Sequence, residues 1–117
     1  MAIKTKRIYE GASGDDGSRI LVDRLWPRGL SKEKARIDLW LKEDATSDEL
    51  RKAFHNGDLT WSEFRNQYLA ELKKHRDKLK PLAALEKNEN ITLLFSAKNE
   101  ERNNAIVLKE YLEKINP

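Results

Sequence analysis

The densest group of reactive side chains lies between residues 18 and 30, directly after a short apolar run. The run Ile20–Val22 is followed by four such side chains: Asp23, Arg24, Trp26 and Arg28. A carboxylate can move protons, a guanidinium matches the shape of a phosphate or carboxylate, and an indole ring can form the wall of a pocket. This order of side chains predicts a functional site at the end of a buried strand.

A second polar group follows another apolar run, Ile91–Ser96, which predicts a further strand. In open α/β sheets, ligands bind outside the carboxyl ends of the strands. We therefore expect Lys98 to converge with Arg24 and Arg28 on an anion site beside the start of the last helix, whose free N–H groups attract negative charge. Asn103, or its neighbour Asn104, is expected to project toward this site.

Asp23 and His55 are the two candidate catalytic residues. Asp23 is the better candidate for a general base, although a short acidic side chain at a strand end more often binds backbone amides. His55 is a candidate because histidine is the residue type suited to proton transfer near neutral pH. A charged imidazole at the end of a short helix is equally well explained by the helix dipole. No Ser/His/Asp arrangement has a recognisable spacing, so nucleophilic catalysis is not predicted.

Structural roles for the other candidates remain open. Arg24 or Arg28 can pair with Asp23 or Asp38 to hold a turn in place, and spacing alone does not decide between this role and ligand binding. Trp26 either lines a pocket or packs in the core, and buried aromatic rings more often pack in the core.

Composition excludes several kinds of chemistry. The chain has no cysteine, which excludes disulfides, thiolate nucleophiles and cysteine-bound zinc. The two histidines have no nearby acidic partners in a ligand-like spacing, and no Gly-rich phosphate loop is present, so we predict no metal site and no cofactor. No stretch has the length of a signal peptide or a membrane span, so a soluble cytoplasmic protein without membrane contact is expected.

The net charge of +3 is unevenly distributed along the 117 residues. Residues 1–36 carry nine Lys/Arg against five Asp/Glu, whereas residues 37–58 carry three against six. A basic N-terminal third favours an anionic small molecule or nucleic acid as partner, but a solvated charged surface is equally compatible with it. Nothing in the composition separates a monomer from a homodimer.

The periodic pattern predicts one α/β domain over residues 1–117. Strands are predicted over residues 3–9 (at an edge), 19–23 and 91–96, while residues 37–42 form either a third strand or the end of a helix over 31–42. A short helix is predicted over 32–35. A second helix is predicted from the capping box Thr46–Glu49 to near Gly57, and a third begins at the capping box Thr60–Glu63. A fourth helix is predicted from Asp77 to about Lys87, with Pro81 in or just after its first turn, and the last begins at Asn99. The expected fold is a small open sheet of about four strands, at least partly parallel, with helices packed on its faces.

Several of these segments occur together in one known family. The segments are Gly17–Gly29 (GSRILVDRLWPRG), Trp40–Lys42, Leu50–Arg51 with Phe54–His55, Trp61–Phe64 with Tyr68, Thr92–Ala97 and Asn103–Ala105. Over nearly its whole length the chain resembles the DUF488 family, and within it the short YeaO-like branch. Thr46 departs from the pattern, because relatives usually have Pro at this position.

The resemblance implies a compact α/β domain but no established activity. It implies that the residues matching the family pattern are Asp23, Arg24, Trp26, Arg28, His55, Trp61 and Asn103. Longer relatives carry a cysteine-containing motif after the last strand, where this chain has residues 96–104, so thiol or metal chemistry is not transferred to it. The residues themselves support three hypotheses about function. The first is a protein that binds or acts on an anionic small molecule such as a nucleotide or phosphorylated metabolite. The second is a nucleic-acid-associated or regulatory module, and the third is a non-catalytic scaffold that dimerises.

Overall fold

A computed structural model describes residues 1–116, in which strands and helices alternate along the chain. The strands are β1 (Ile3–Arg7), β2 (Ser18–Leu21), β3 (Leu39–Trp40) and β4 (Ile91–Phe95). The helices are α1 (Lys32–Ala35), α2 (Asp48–His55), α3 (Trp61–Lys73), α4 (Arg76–Ala84) and α5 (Asn104–Ile115). Single turns of 3-10 helix follow β1 at Ile8–Glu10 and α4 at Leu85–Lys87. The predicted α/β class is confirmed.

The sheet has the strand order β1-β4-β2-β3, and each neighbouring pair is parallel. The prediction of a four-stranded, at least partly parallel sheet is therefore confirmed, and β1 occupies an edge as expected. β3 is short, but Asp38 N donates to Arg19 O (2.7 Å) and Leu41 N to Leu21 O (2.9 Å), which extends the pairing on both sides. Residues 37–42 thus form the strand rather than the alternative helix. Because all strands are parallel, their carboxyl ends meet at one edge of the sheet.

The unalternated apolar run of β4 is explained by cores on both faces of the sheet. Successive strand residues point to opposite faces, so Leu93 and Phe95 contact the larger core with α2 to α5. Leu94 contacts the smaller core on the other face, which includes Ala35 of α1. A central strand that is buried on both faces rarely carries polar residues. The helices on both faces therefore hold the strand ends in fixed positions.

The start of α2, on the larger face, differs from the pattern-based prediction. The N-cap of α2 is Ser47, whose hydroxyl accepts from Leu50 N, and not Thr46. Ser47 N and Oγ also donate to the carboxylate of Glu71 on α3, at 2.9 and 2.7 Å. This long-range contact selects between two adjacent residues that can both cap a helix. The capping box of Thr60 and Glu63 at the start of α3 forms as predicted.

Helix α4 starts earlier than its pattern suggested. Its N-cap is His75 rather than Asp77, so Pro81 is the sixth residue of the helix and lies in its second turn. The ring of Pro81 removes the hydrogen bond that a residue there would donate to the carbonyl of Asp77. The chain turns directly from α3 into α4, with His75 N donating to Leu72 O (2.9 Å).

Helix α5 starts later than predicted, and this changes the shape of the site. Asn103 is the N-cap, with Oδ1 accepting from Ile106 N at 3.1 Å. Asn99, the predicted cap, instead closes a separate turn by accepting the N–H groups of Glu101 and Arg102. Residues 96–103 are consequently a loop at the carboxyl edge of the sheet.

Candidate functional site

An open cleft of about 1040 Å³ lies at the carboxyl edge of the sheet. Its walls come from the end of β1, the segment after β2, helix α2 and the loop between β4 and α5. All seven predicted site residues line it: Asp23, Arg24, Trp26, Arg28, His55, Lys98 and Asn103. The predicted site residues therefore all lie at one cleft, while the binding and catalytic roles of these residues stay predictions.

Asp23 connects three elements at the bottom of the cleft. Its Oδ2 accepts from Ser96 N (2.9 Å) and Ser96 Oγ (2.6 Å), which ties the end of β2 to the end of β4. Its Oδ1 accepts from Nδ2 of Asn104 (2.9 Å), the first residue of α5. The backbone carbonyl of Asp23 accepts from Trp40 Nε1 (2.6 Å). Both carboxylate oxygens are therefore occupied by donors that fix the shape of the cleft.

Arg24 holds the segment that enters α2. Its Nε donates to Thr46 O (2.8 Å) and its Nη2 to Ala45 O (3.3 Å). Within residues 1–116 its ion-pair partner is Asp48, at 4.0 Å from Nε, and neither Asp23 nor Asp38 pairs with it. Asp48 also accepts from Arg51 Nη2 (3.2 Å), so one exposed carboxylate lies between two guanidinium groups of the cleft.

Arg28 and Lys98 are both exposed and line the cleft, Arg28 in the segment after β2 and Lys98 in the loop after β4. Among residues 1–116, neither side chain takes part in an ion pair or a side-chain hydrogen bond, so the predicted structural pairing of Arg28 with an aspartate does not occur. The backbone carbonyl of Arg28 does accept from Tyr9 OH (2.9 Å), which fixes the loop that carries it. Their charged groups are available to a ligand.

The sequence-based prediction missed three cations that line the cleft, namely Arg7, Arg51 and Arg102, whereas Asn104 lines it as one of the two expected asparagines. Arg7 ends β1 and donates to the carbonyls of Ala97 (2.8 Å) and Ser96 (3.1 Å). Ligands bind at the carboxyl ends of parallel strands, and because β1 is parallel to β4, the same reasoning includes Arg7 at the end of β1. Arg102 had been placed inside the last helix, and Arg51 reaches the cleft only through the packing of α2.

The charge of the cleft is strongly one-sided. Its lining includes six Lys or Arg side chains, namely Arg7, Arg24, Arg28, Arg51, Lys98 and Arg102, against the single carboxylate of Asp23. With His55 neutral, the formal charge of the lining is six minus one, or +5. Low-dielectric walls concentrate such a field on the space between them.

The remaining predicted residues occupy distinct positions. The side-chain amide of buried Asn103 is used locally, because its Nδ2 donates to Asn99 O (2.9 Å) while its oxygen caps α5. Trp26 lines the cleft and donates from Nε1 to Leu30 O (2.6 Å). Its ring meets Trp40 edge-on, with 5.5 Å between centroids, so it also packs on the smaller core. His55 is exposed at the end of α2.

Comparison with known proteins agrees with the resemblance seen in the sequence. Residues 2–116 match the family model described as the inactive DUF488-N3 subclade. The chain belongs to this subclade. The DUF488-N3 chain is 50% identical over 115 residues to the uncharacterised protein YeaO of Escherichia coli (strain K12), covering 98% of this chain and 100% of YeaO. It is 34% identical over 110 residues to uncharacterised proteins of Mycobacterium bovis and Mycobacterium tuberculosis, covering 94% of this chain and 92% of each relative. No solved structure matches it.

A buried ion cluster on the other side of the DUF488-N3 fold accounts for several cations of the N-terminal third. Asp16 is 3% exposed and pairs with Lys6 Nζ (3.2 Å) and with Arg19 Nη1. Burial raises the pKa of Asp16, but hydrogen bonds from Ser13 N, Lys6 and Arg19 outweigh burial and leave that pKa below its ordinary value. Lys4 contacts Asp15 in the same region. Lys4, Lys6 and Arg19 are thus paired with aspartates of the same chain. The N-terminal third therefore offers fewer unpaired cations to a nucleic acid than its composition suggested.

Two further properties of the DUF488-N3 chain concern metals and membranes. Over residues 1–116, no three His, Asp or Glu side chains lie close enough together to hold a metal ion. None of the helices within the same residues is long and apolar enough to cross a membrane.

Proposed function

We propose that this protein binds an anionic small molecule, such as a nucleotide or a phosphorylated metabolite, in the cleft at the carboxyl edge of the sheet. The observation that carries the proposal is the lining charge of six cations against one carboxylate. Like charges gathered at one surface repel each other, so their concentration costs folding free energy unless an anion neutralises them. A bound anion supplies that neutralisation.

Five of the six cations divide into two groups with different roles, and the sixth, Arg51, pairs with Asp48. Arg7 and Arg24 donate to backbone carbonyls and hold the walls in place. Arg28, Lys98 and Arg102 have no ion-pair partner among residues 1–116 and supply the charge that meets the ligand. Guanidinium groups bind phosphate and carboxylate through paired N–H donors, whereas Lys98 adds a point charge. The volume of about 1040 Å³ accommodates a molecule of nucleotide size, since small-molecule sites typically measure roughly 300–1,000 Å³.

The proposed role is binding without catalysis. Asp23, the predicted general base, already accepts three hydrogen bonds through its two oxygens, which favours an architectural role for it. His55, the other candidate, has no hydrogen-bond partner among residues 1–116 that would orient its ring. The description of the matching family as an inactive subclade agrees with this choice.

A nucleic-acid-associated module is the second candidate. One observation favours it: Lys73, Lys74, Arg76 and Lys80 are all exposed within a short segment around the start of α4. This segment does not line the cleft. Binding through it would weaken steeply with salt and would be insensitive to changes in the cleft.

Titration with inorganic pyrophosphate, followed by backbone amide chemical shifts, tests the proposal. We expect shifts concentrated in residues 23–30 and 96–104, and a loss of affinity of about fivefold or more in each of Arg28→Ala and Lys98→Ala, because each removes one charged contact. The matched controls are Arg76→Ala and Lys80→Ala, which remove exposed cations outside the cleft. The proposal fails if pyrophosphate does not bind, or if the control variants weaken binding as much as the cleft variants.

A further inference from the structure

The cleft contains exposed apolar surface that the fold itself does not use. Leu25 is 57% exposed, lines the cleft and belongs to neither of the two hydrophobic cores. Tyr9, 43% exposed, lines the same cleft and also stands outside both cores. A single exposed leucine is common on protein surfaces. Two large, exposed apolar side chains in the same charged cleft are less common and indicate a binding surface.

The Tyr9 ring is held in place by polar contacts. Its hydroxyl donates to the backbone carbonyl of Arg28 (2.9 Å), and the guanidinium of Arg7 lies 5.1 Å from its ring centroid. These contacts connect the ring to a residue whose own guanidinium is free to meet an anion. Apolar surface and a free cation are therefore adjacent, with Leu25 only three residues before Arg28 along the same loop.

A third apolar side chain extends the apolar surface on the wall that α2 forms. Phe54 of α2 lines the cleft and stacks on Phe64, with 4.2 Å between ring centroids. Its ring is thus fixed by the larger core on one side. The cleft offers a ligand rigid apolar walls as well as positive charge.

This inference rests on the proposed anion site: we infer that the ligand contains both a phosphate and a flat aromatic group, as aryl phosphates and nucleotides do. The aromatic group packs against Leu25 and Tyr9, and the phosphate meets Arg28. A flat ring fits these walls better than an alkyl chain, because tyrosine rings and guanidinium planes both stack on aromatic faces. A sugar phosphate or an inorganic anion leaves Leu25 and Tyr9 in contact with water.

Three probes with the same charged group separate these cases: phenyl phosphate, hexyl phosphate and inorganic phosphate, each titrated into the whole protein. We expect phenyl phosphate to bind about tenfold more tightly than inorganic phosphate and more tightly than hexyl phosphate. Leu25→Ser should weaken phenyl phosphate about fivefold and leave inorganic phosphate unchanged. The matched control is Leu39→Ser, since Leu39 is an exposed leucine outside the cleft.

The outcomes distinguish the aromatic ligand inferred here from the anion site proposed above. Equal affinity for the three probes, abolished by Arg28→Ala, overturns the aromatic ligand and keeps the anion site. Equal affinity for phenyl and hexyl phosphate overturns the preference for a flat ring. No binding of any probe, together with no binding of pyrophosphate, overturns the anion site and the inference with it. Because Leu25 is largely exposed, the Leu25→Ser variant is expected to fold, and an unchanged unfolding midpoint verifies this.

Discussion

Replacing Gly17 with alanine should destabilise the protein through a close approach between two backbones. Gly17 has φ +66°, and a Cβ atom placed there would lie 2.0 Å from the carbonyl oxygen of Asn90. The left-handed conformation alone costs an alanine about 1 kcal/mol. Relief of the clash must also separate Ser18 N from Asn90 O, now 3.0 Å apart, which forfeits a hydrogen bond worth about 1 kcal/mol. We therefore expect a loss of roughly 2–4 kcal/mol in the free energy of unfolding.

Gly57 provides the matched control for this substitution. It follows the end of α2 with φ +82°, as Asp58 N donates to Ala53 O, and nothing lies within 4 Å of a Cβ built there. Gly57→Ala should therefore cost only the conformational penalty of about 1 kcal/mol. Urea unfolding followed by tryptophan fluorescence measures both variants. Equal destabilisation by the two substitutions would refute the argument, because the backbone contact at Gly17 would then contribute nothing. The contact joins the beginnings of β2 and β4, away from the cleft, so pyrophosphate affinity should not change in either variant.

Two further substitutions test the charged groups. Because the folded-state pKa of Asp16 lies below its ordinary value, its stabilising contribution is present above the pKa of the unfolded chain and is lost as the pH falls through the folded-state value. Asp16→Asn should therefore lower the free energy of unfolding at pH 7 by roughly 3 kcal/mol, since Arg19 stays buried without its charged partner. It should also flatten the loss of stability as the pH falls below the ordinary range of an aspartate; an unchanged acid limb in urea unfolding would contradict this. Asp48→Asn should raise pyrophosphate affinity about two- to fivefold, because it removes the negative charge that now lies beside the guanidinium groups of Arg24 and Arg51. Asp77→Asn, outside the cleft, is the control, and an affinity equal to that of the unmodified protein would show that Asp48 does not compete with the ligand.

The sequence predicted the elements better than their first residues. The apolar run Ile91–Phe95 and the capping box of Thr60 are local signals, and both gave the correct element. The choice between Thr46 and Ser47 depends on Glu71, which lies on another helix, so no local rule could make it. The start of α5 was misplaced in the same way, because Asn99 and Asn103 are both suitable caps and each of them closes a turn.

The candidate site was predictable to the extent that it follows strand ends. Asp23 and Lys98 were found because parallel strands end at one edge, and the same reasoning extended to β1 would have included Arg7. Arg51 could not be found this way, since it reaches the cleft from one face of α2. The exposed position of Leu25 was also beyond the sequence, because an apolar residue beside a strand end is usually taken as core.

The strand order has a consequence for the synthesis of the chain. β4 lies between β1 and β2, so two of the three strand pairings wait for residues 91–95, which are made late. Until then β1 and β2 have no common neighbour, and their apolar faces stay uncovered as the chain leaves the ribosome. Asp23 likewise gains Ser96 and Asn104 only at this stage. Formation of the sheet and formation of the cleft are therefore one late event, and nascent chains that stop before β4 should expose apolar surface to chaperones and proteases.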